Sequence, residues 1–182
     1  SLQNLLRWQS STGQALNMAI NLSPVQFRDE DLVKYITGMV KSSRVPVDSL
    51  EFEITEGVLM SGYAGIKESL EQLKSFGVHL AMDDFGTGYS SLSYLRNYPF
   101  DILKIDREFI SNLSHNSSDK KLAKATISMA NSLGLKVVAE GIETDEQFAI
   151  LREYSCDYAQ GYLFGEAMPA DRVGQYLDEM LR

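Results

Sequence analysis

The stretch HLAMDDFGTGYSS, residues 79–91, passes from an apolar, strand-like approach into two adjacent carboxylates, then into a loop of glycines and hydroxyls. At an effective dielectric near 20, like charges about 4 Å apart repel by roughly 4 kcal/mol, so a fold that keeps Asp83 and Asp84 near one point needs a compensating cation. The same layout recurs along the chain. A short apolar or β-branched run closes on a polar residue and a loop, and helical periodicity follows. The runs are MAINLS (18–23), LEFEITE (50–56), HLAMDD (79–84), DILKID (101–106), KVVAEG (136–141) and CDYAQGY (156–162). Between them lie the stripes Leu32, Val33, Ile36, Val40 and Ile66, Leu70, Leu73, the latter ending at a Gly77 C-cap. Leu122, Ile127, Ala130 and Leu133 run into Gly134, and Thr144 with Gln147 has the spacing of a capping box.

Alternation of this kind indicates parallel strands with helical crossovers. Each strand turns chemical at its C-terminal end, at Asn21, Glu53, Asp83, Asp84, Lys104, Asp106, Glu140 and Gln160. A (β/α)8 barrel gathers all strand ends into one site, whereas an open doubly wound sheet uses only those beside its switch point. The expected fold is therefore α/β and TIM-barrel-like, with residues 1–182 forming one partial domain. Typical barrels run to about 250 residues and eight strands. Six βα units place the first two strands upstream of residue 1.

The 182 residues are 44% apolar, enough for a buried core, and carry a net charge of −8. That balance leaves no basic footprint for polymeric nucleic acid, and Lys120, Lys121 and Lys124 read as a solvated helix face. No apolar run is long enough to span a bilayer, and nothing in this segment reads as an export signal. The segment reads as cytoplasmic, although other domains could anchor a parent chain. Cys156, the lone cysteine, excludes an internal disulfide framework and a cysteine-based zinc site and reads as a small buried hydrophobe.

Asn21, Glu53, Asp83, Asp84 and Asp106 are hard oxygen donors without histidine or thiolate, a set suited to Mg2+ or Mn2+ rather than zinc. Such ions polarise a phosphoryl group and lower the pKa of water, which favours a phosphoester substrate. Glu140 is placed to hold or deprotonate that water. Lys104, two residues before Asp106 and so on the same strand face, is placed to steady the water or the phosphate. Taken singly, each residue has a plainer role: Asp83 or Asp84 as a turn residue, Lys104 as an ion-pair partner, Glu140 and Glu143 as helix N-terminal charge. Six strand ends, each supplying a suitable group, weigh against those roles. His79 and His115 end no strand, and FGTGYSS lacks the Gly-Lys-Ser/Thr ending of a P-loop.

In order and spacing, INLSPVQF, FEITEG, DDFGTGYSSLSYL, LKIDREFI, VVAEGIET and QGYLF closely resemble the EAL domain, the bacterial phosphodiesterase of cyclic di-GMP. The resemblance covers almost the whole chain. It implies a modified TIM barrel whose first strand is antiparallel, and hydrolysis of one phosphodiester of cyclic di-GMP to linear pGpG with two Mg2+ or Mn2+ ions. Asn21, Glu53 and Asp83 match ligands of one metal, and Asp83 with Asp84 those of a second. Glu140 lies at or beside that second metal as the base, Lys104 matches the lysine on the nucleophilic water, and Asp106 lies in the same pocket. Glu56 resembles the glutamate anchoring the loop after the aspartate pair, a loop tied to dimerisation and activation. Glu143 and Gln160 match positions near the nucleotide. The resemblance also implies a homodimer and sensory or GGDEF domains elsewhere in a parent chain.

Two departures stand out. The Glu-Ala-Leu signature, with its metal-ligating Glu and a nearby phosphate-binding Arg, is absent, because NLLRW (4–8) echoes only its end and Arg7 and Trp8 match the helix before NLS. FGEAMPA (164–170) replaces the usual Ser-Arg-Pro-Leu-Pro stretch and puts Glu166 at a commonly basic position. Two other functions stay open at this point: a cyclic di-GMP receptor that binds without cleaving, and a barrel aldolase using Lys104 as a Schiff base.

Overall fold

The computed structural model describes residues 2–86 and 92–180. Among these, six strands form one parallel sheet in sequential order: β1 (Met18–Asn21), β2 (Leu50–Thr55), β3 (His79–Phe85), β4 (Ile102–Ile105), β5 (Lys136–Ala139) and β6 (Tyr158–Ala159). An open doubly wound sheet reverses its order at a switch point, and this sheet never does. It is the curled wall of a barrel. Helix α1 (Leu2–Thr12) leads into β1, and α2 (Leu32–Ser43) connects β1 to β2. The crossover to β3 carries α3 (Glu56–Met60) and α4 (Ile66–Phe76), and α5 (Leu92–Asn97) precedes β4. Helices α6 (Arg107–Ser111) and α7 (Ser117–Ser132) lead to β5, α8 (Asp145–Glu153) to β6, and α9 (Ala170–Met180) follows. Among the described residues no helix is long and apolar enough to cross a membrane.

The period of two in a strand explains the packing. Leu50, Phe52 and Ile54 of β2 face the helices with Leu80, Met82, Leu103, Ile105 and Val137, and they bury against Ile36, Leu70, Leu73, Ile127 and Leu151. Each such side chain contributes about 1.5–3 kcal/mol on burial. Register carries the other face across the sheet: Asn21 pairs with Glu53, Glu53 with Ala81, Ala81 with Ile102, and Lys104 with Val138. The polar residues therefore share the concave side.

Aspartates pin this register where strands begin. The Asp101 carboxylate accepts from Leu80 N at 3.0 Å and pairs with Lys74. Asp157 repeats the arrangement, accepting from Val137 N at 3.0 Å and from Lys136 Nζ at 2.6 Å.

Helix starts and stops follow the sequence signals. Gly77 is left-handed at φ 107° after α4, and Thr144 Oγ1 accepts from Gln147 N while Gln147 Oε1 accepts from Thr144 N. The expected stripe on α7 keeps its centre, Ile127 and Ala130, and loses its ends. Ala123, Ile127 and Ala130 are buried, whereas Leu122 and Leu133 are exposed, because the small alanines let the helix sit close to the sheet. Cys156 is half-buried rather than buried, and its Sγ donates to Tyr158 O at 3.3 Å.

Candidate active site

Between the pairs Met82 with Leu103 and Phe85 with Ile105, β3 has one residue more than β4. Asp83 and Asp84 thus stand together opposite Lys104 in a β-bulge. Successive residues of a regular strand point to opposite faces, so an unbroken strand would turn one of the two acids away. Asp84 adopts φ 55°, a left-handed conformation that Asp tolerates better than most side chains. The bulge keeps both acids at the strand end.

Lys104 is the hub. Its Nζ lies 2.5 Å from Glu53 Oε1, 2.6 Å from Glu140 Oε1 and 3.3 Å from Asp83 Oδ1. All four side chains are well buried, from 5% exposed for Lys104 to 17% for Glu140. Burial opposes the lysine's charge, yet hydrogen bonds to Glu140 and Glu53 and the nearby Asp83 carboxylate hold its pKa above the ordinary range. An ammonium held among three carboxylates is a poor carbonyl nucleophile, which weighs against the Schiff-base aldolase reading. Burial raises the Glu140 pKa against the pull of Lys104. Asp84 is raised by burial, then by the charges of Asp83 and Asp106.

Asp83 Oδ1 is buried and accepts no hydrogen bond among the described residues. Its charge is met by the Lys104 ammonium at 3.3 Å, and a divalent cation would complete it at closer range. Five acids, Glu53, Asp83, Asp84, Asp106 and Glu140, less one ammonium leave four formal negative charges, the charge of two divalent ions. The donor set fits hard cations. Among the described residues no three acids already stand at ligating geometry around one point.

The remaining expected residues are more dispersed. Asn21 is exposed at the end of β1. Asp106 Oδ1 accepts from Glu108 N at 2.8 Å and caps α6. Gln160 is exposed, but its backbone extends the ladder, donating to Ala139 O at 2.8 Å and accepting from Ile142 N at 3.0 Å. Glu143 is exposed on the loop before α8, where its N–H donates to Gln147 Oε1 at 2.8 Å. Glu56 is buried at the start of α3, while residues 87–91 of the loop it is expected to anchor lie outside the described residues.

Two contributors escape a reading of strand ends alone. Glu51 shares the concave face with Glu53, one side-chain step lower, and burial with the neighbouring Glu53 charge pushes its carboxyl to about 7. Its parity with Glu53 is the signal that finds it. It lines a cavity of about 530 Å3 with Glu53, Lys104, Lys136, Val138 and Tyr158. Gln147, legible as a helix cap, also sends Nε2 to Ile110 O at 3.2 Å and Ser111 O at 3.3 Å, tying the Glu143 loop to α6.

The fold and site define an α/β barrel-wall protein whose strand C-termini gather carboxylates around one lysine. Residues 1–167 match the family profile of the EAL domain. The chain belongs to the EAL domain family. It is 42% identical over 164 residues to the cyclic di-GMP phosphodiesterase NbdA of Pseudomonas aeruginosa, covering 90% of this chain and 21% of NbdA. The chain spans about a quarter of the first relative it matches, sll1895 of Synechocystis. Among solved structures, the EAL domain of Mycobacterium smegmatis DcpA superposes with a TM-score of 0.91 at 36% identity, covering 98% of this chain and 80% of that one. The c-di-GMP complex of the PaMucR phosphodiesterase gives 0.86 at 39% identity over 94% of this chain and 70% of that one. A manganese and c-di-GMP complex of Klebsiella pneumoniae BlrP1 gives 0.77 at 27% identity, over 91% and 44%.

Proposed function

We propose that this chain hydrolyses one phosphodiester of cyclic di-GMP to linear pGpG. The observation that carries the reading is the buried Lys104 ammonium among Glu53, Asp83 and Glu140, with Asp84 added at the same strand end by the bulge. NbdA is named for this activity, and PaMucR and BlrP1 are solved with c-di-GMP, which supports the substrate.

Asn21, Glu53, Asp83, Asp84 and Asp106 would hold two Mg2+ or Mn2+ ions, with Glu140 at or beside the second. Bound there, such ions supply Lewis-acid stabilisation of phosphoryl charge and lower the pKa of water. Glu140, its carboxyl raised by burial against the pull of Lys104, accepts the proton of the attacking water. Lys104 donates to that water or to a phosphoryl oxygen and never surrenders its charge. The water oxygen bonds to phosphorus, the bond to the ribose oxygen breaks, and that oxygen takes a proton from solvent. Glu143 and Gln160 flank the nucleotide from the loops after β5 and β6. Glu56 secures the loop after the aspartate pair. A homodimer, and sensory or GGDEF domains in a parent chain, complete the proposal.

Incubation of the protein with cyclic di-GMP and Mn2+, followed by chromatography of the nucleotides, should yield pGpG, and EDTA should abolish it. Binding of cyclic di-GMP without turnover under the same conditions would make the chain a receptor. Light scattering checks the dimer.

A further inference from the structure

We propose that Gln147 is a positioning residue for the nucleotide, fixing the backbone of Glu143 against α6 before substrate arrives. The inference rests on the reading above that Glu143 flanks the nucleotide, and adds what holds it there. Three successive N–H groups of the loop after β5 are committed. Ile142 N donates to Gln160 O at 3.0 Å, and Glu143 N and Thr144 N donate to Gln147 Oε1 at 2.8 and 3.0 Å. Ile142 is buried, and its carbonyl accepts from Leu163 N at 3.0 Å. Glu143 is therefore pinned on both sides while its own side chain stands exposed. An arm held in this way has little freedom left to lose when a ligand binds.

A capping box is satisfied by Glu as well as by Gln. Here the far end of the side chain meets two carbonyls at the C-terminal end of α6, Ile110 O at 3.2 Å and Ser111 O at 3.3 Å. A carboxylate has no proton for them, whereas an amide accepts from two N–H groups and donates to two carbonyls at once. The cap explains a Glu or a Gln; the tie to α6 requires the Gln. Gln147 is 5% exposed, so water does not replace these bonds. Asp106 caps the other end of the same five-residue helix, and Gly141 abuts Arg107 at its start. Helix α6 thereby sets the spacing of Glu143 from Asp106 and Glu140.

Gln147→Glu keeps an acceptor for Glu143 N and Thr144 N but turns an oxygen on the α6 carbonyls. With cyclic di-GMP and Mn2+, its KM should rise at least fivefold with kcat within threefold of parental. Where the chain binds without cleaving, Kd by calorimetry takes the place of KM. Gln147→Met, which adds no charge, should raise KM at least as much. Thr144→Ala removes the hydroxyl that accepts from Gln147 N, and should lower the melting temperature with KM within twofold. Because Gln147 acts through Glu143, Gln147→Glu should raise KM no further in a Glu143→Ala background. In the unmutated protein, the Glu143 and Thr144 amide protons should be protected from hydrogen exchange before nucleotide is added. Protection that arises only with cyclic di-GMP overturns the proposal, even where the Gln147 variants fail to fold. So does a folded Gln147→Glu or Gln147→Met variant with parental KM, an equal rise in Thr144→Ala, or a further rise in the double variant. Parental KM in Glu143→Ala defeats instead the placement of Glu143 at the nucleotide, and with it this inference. Absence of any cyclic di-GMP binding by the unmutated protein defeats the functional reading itself.

Discussion

The aspartate pair owes its usefulness to one extra residue. Asp83 and Asp84 oppose a single Lys104, with Asp84 turned to φ 55°. Backbone strain of this kind costs of the order of 1–3 kcal/mol and persists only where its surroundings over-determine it. Asp84→Asn, which tolerates the same backbone, should keep the parental melting temperature but weaken Mn2+ binding in calorimetry. Asp84→Val, β-branched and unsuited to that conformation, should lose about 1–3 kcal/mol in urea melts. An Asp84→Val protein as stable as Asp84→Asn would show that the bulge is not strained. Glu140→Gln should slow pGpG formation by about 10²-fold or more with cyclic di-GMP affinity largely kept, since a base acts in the transition state. Cys156 gives a chemical check on burial. Its thiol is pushed up to about 11 by desolvation, so the thiolate fraction at pH 8 is about a thousandth. Alkylation by iodoacetamide in the native protein should be slower than in urea by at least tenfold.

The elements meet at glycines and aspartates. A Cβ on Gly161 would lie 2.1 Å from Ile142 O, so β6 runs on into a loop that touches the β5 loop backbone to backbone. Gly141, at φ 70°, would drive a Cβ to 2.4 Å from Arg107 Cβ, which seats the Glu140 loop on α6. Either Gly→Ala substitution should destabilise by about 2–4 kcal/mol in urea melts and displace Glu140 or Gln160, lowering pGpG yield beyond the stability loss. Where the strands begin, burial pushes the Asp157 carboxyl up, but its bonds from Lys136 and Val137 N outweigh this and lower it below the usual carboxylate value. A carboxyl titrating lower in the folded than in the unfolded chain contributes fully above the ordinary range. That contribution disappears as pH falls through the lowered folded value. Asp157→Asn should accordingly depress the melting temperature at pH 7, and by progressively less as the pH falls through the acid range. A depression that does not change with pH would point to packing instead of charge.

At the scale of the molecule, the site's unmatched charge links ligand to fold. A cation that binds only the folded state stabilises it by about 2.7 kcal/mol at a concentration of 100 Kd, so Mn2+ should raise the melting temperature and EDTA reverse it. A melting temperature indifferent to Mn2+ would contradict a metal-binding site. The sequence by itself determined the strand runs, the helix caps and the polar strand ends, because side-chain period and capping chemistry act over a few residues and leave a local trace. It also carried the family, through motifs spaced along nearly the whole chain. Other features were decided only by the tertiary structure. Adjacent strands set the register that turns Asp83 and Asp84 to one lysine, and a bulge leaves no mark in a single strand's period. The proximity of Lys104 to Glu53 and Glu140 joins strands far apart in sequence; against the opposing effect of burial, their hydrogen bonds lift the ammonium above its ordinary range, while burial lifts the Glu140 carboxyl. Desolvation is a property of the assembled barrel wall, and no spacing along the chain encodes its size.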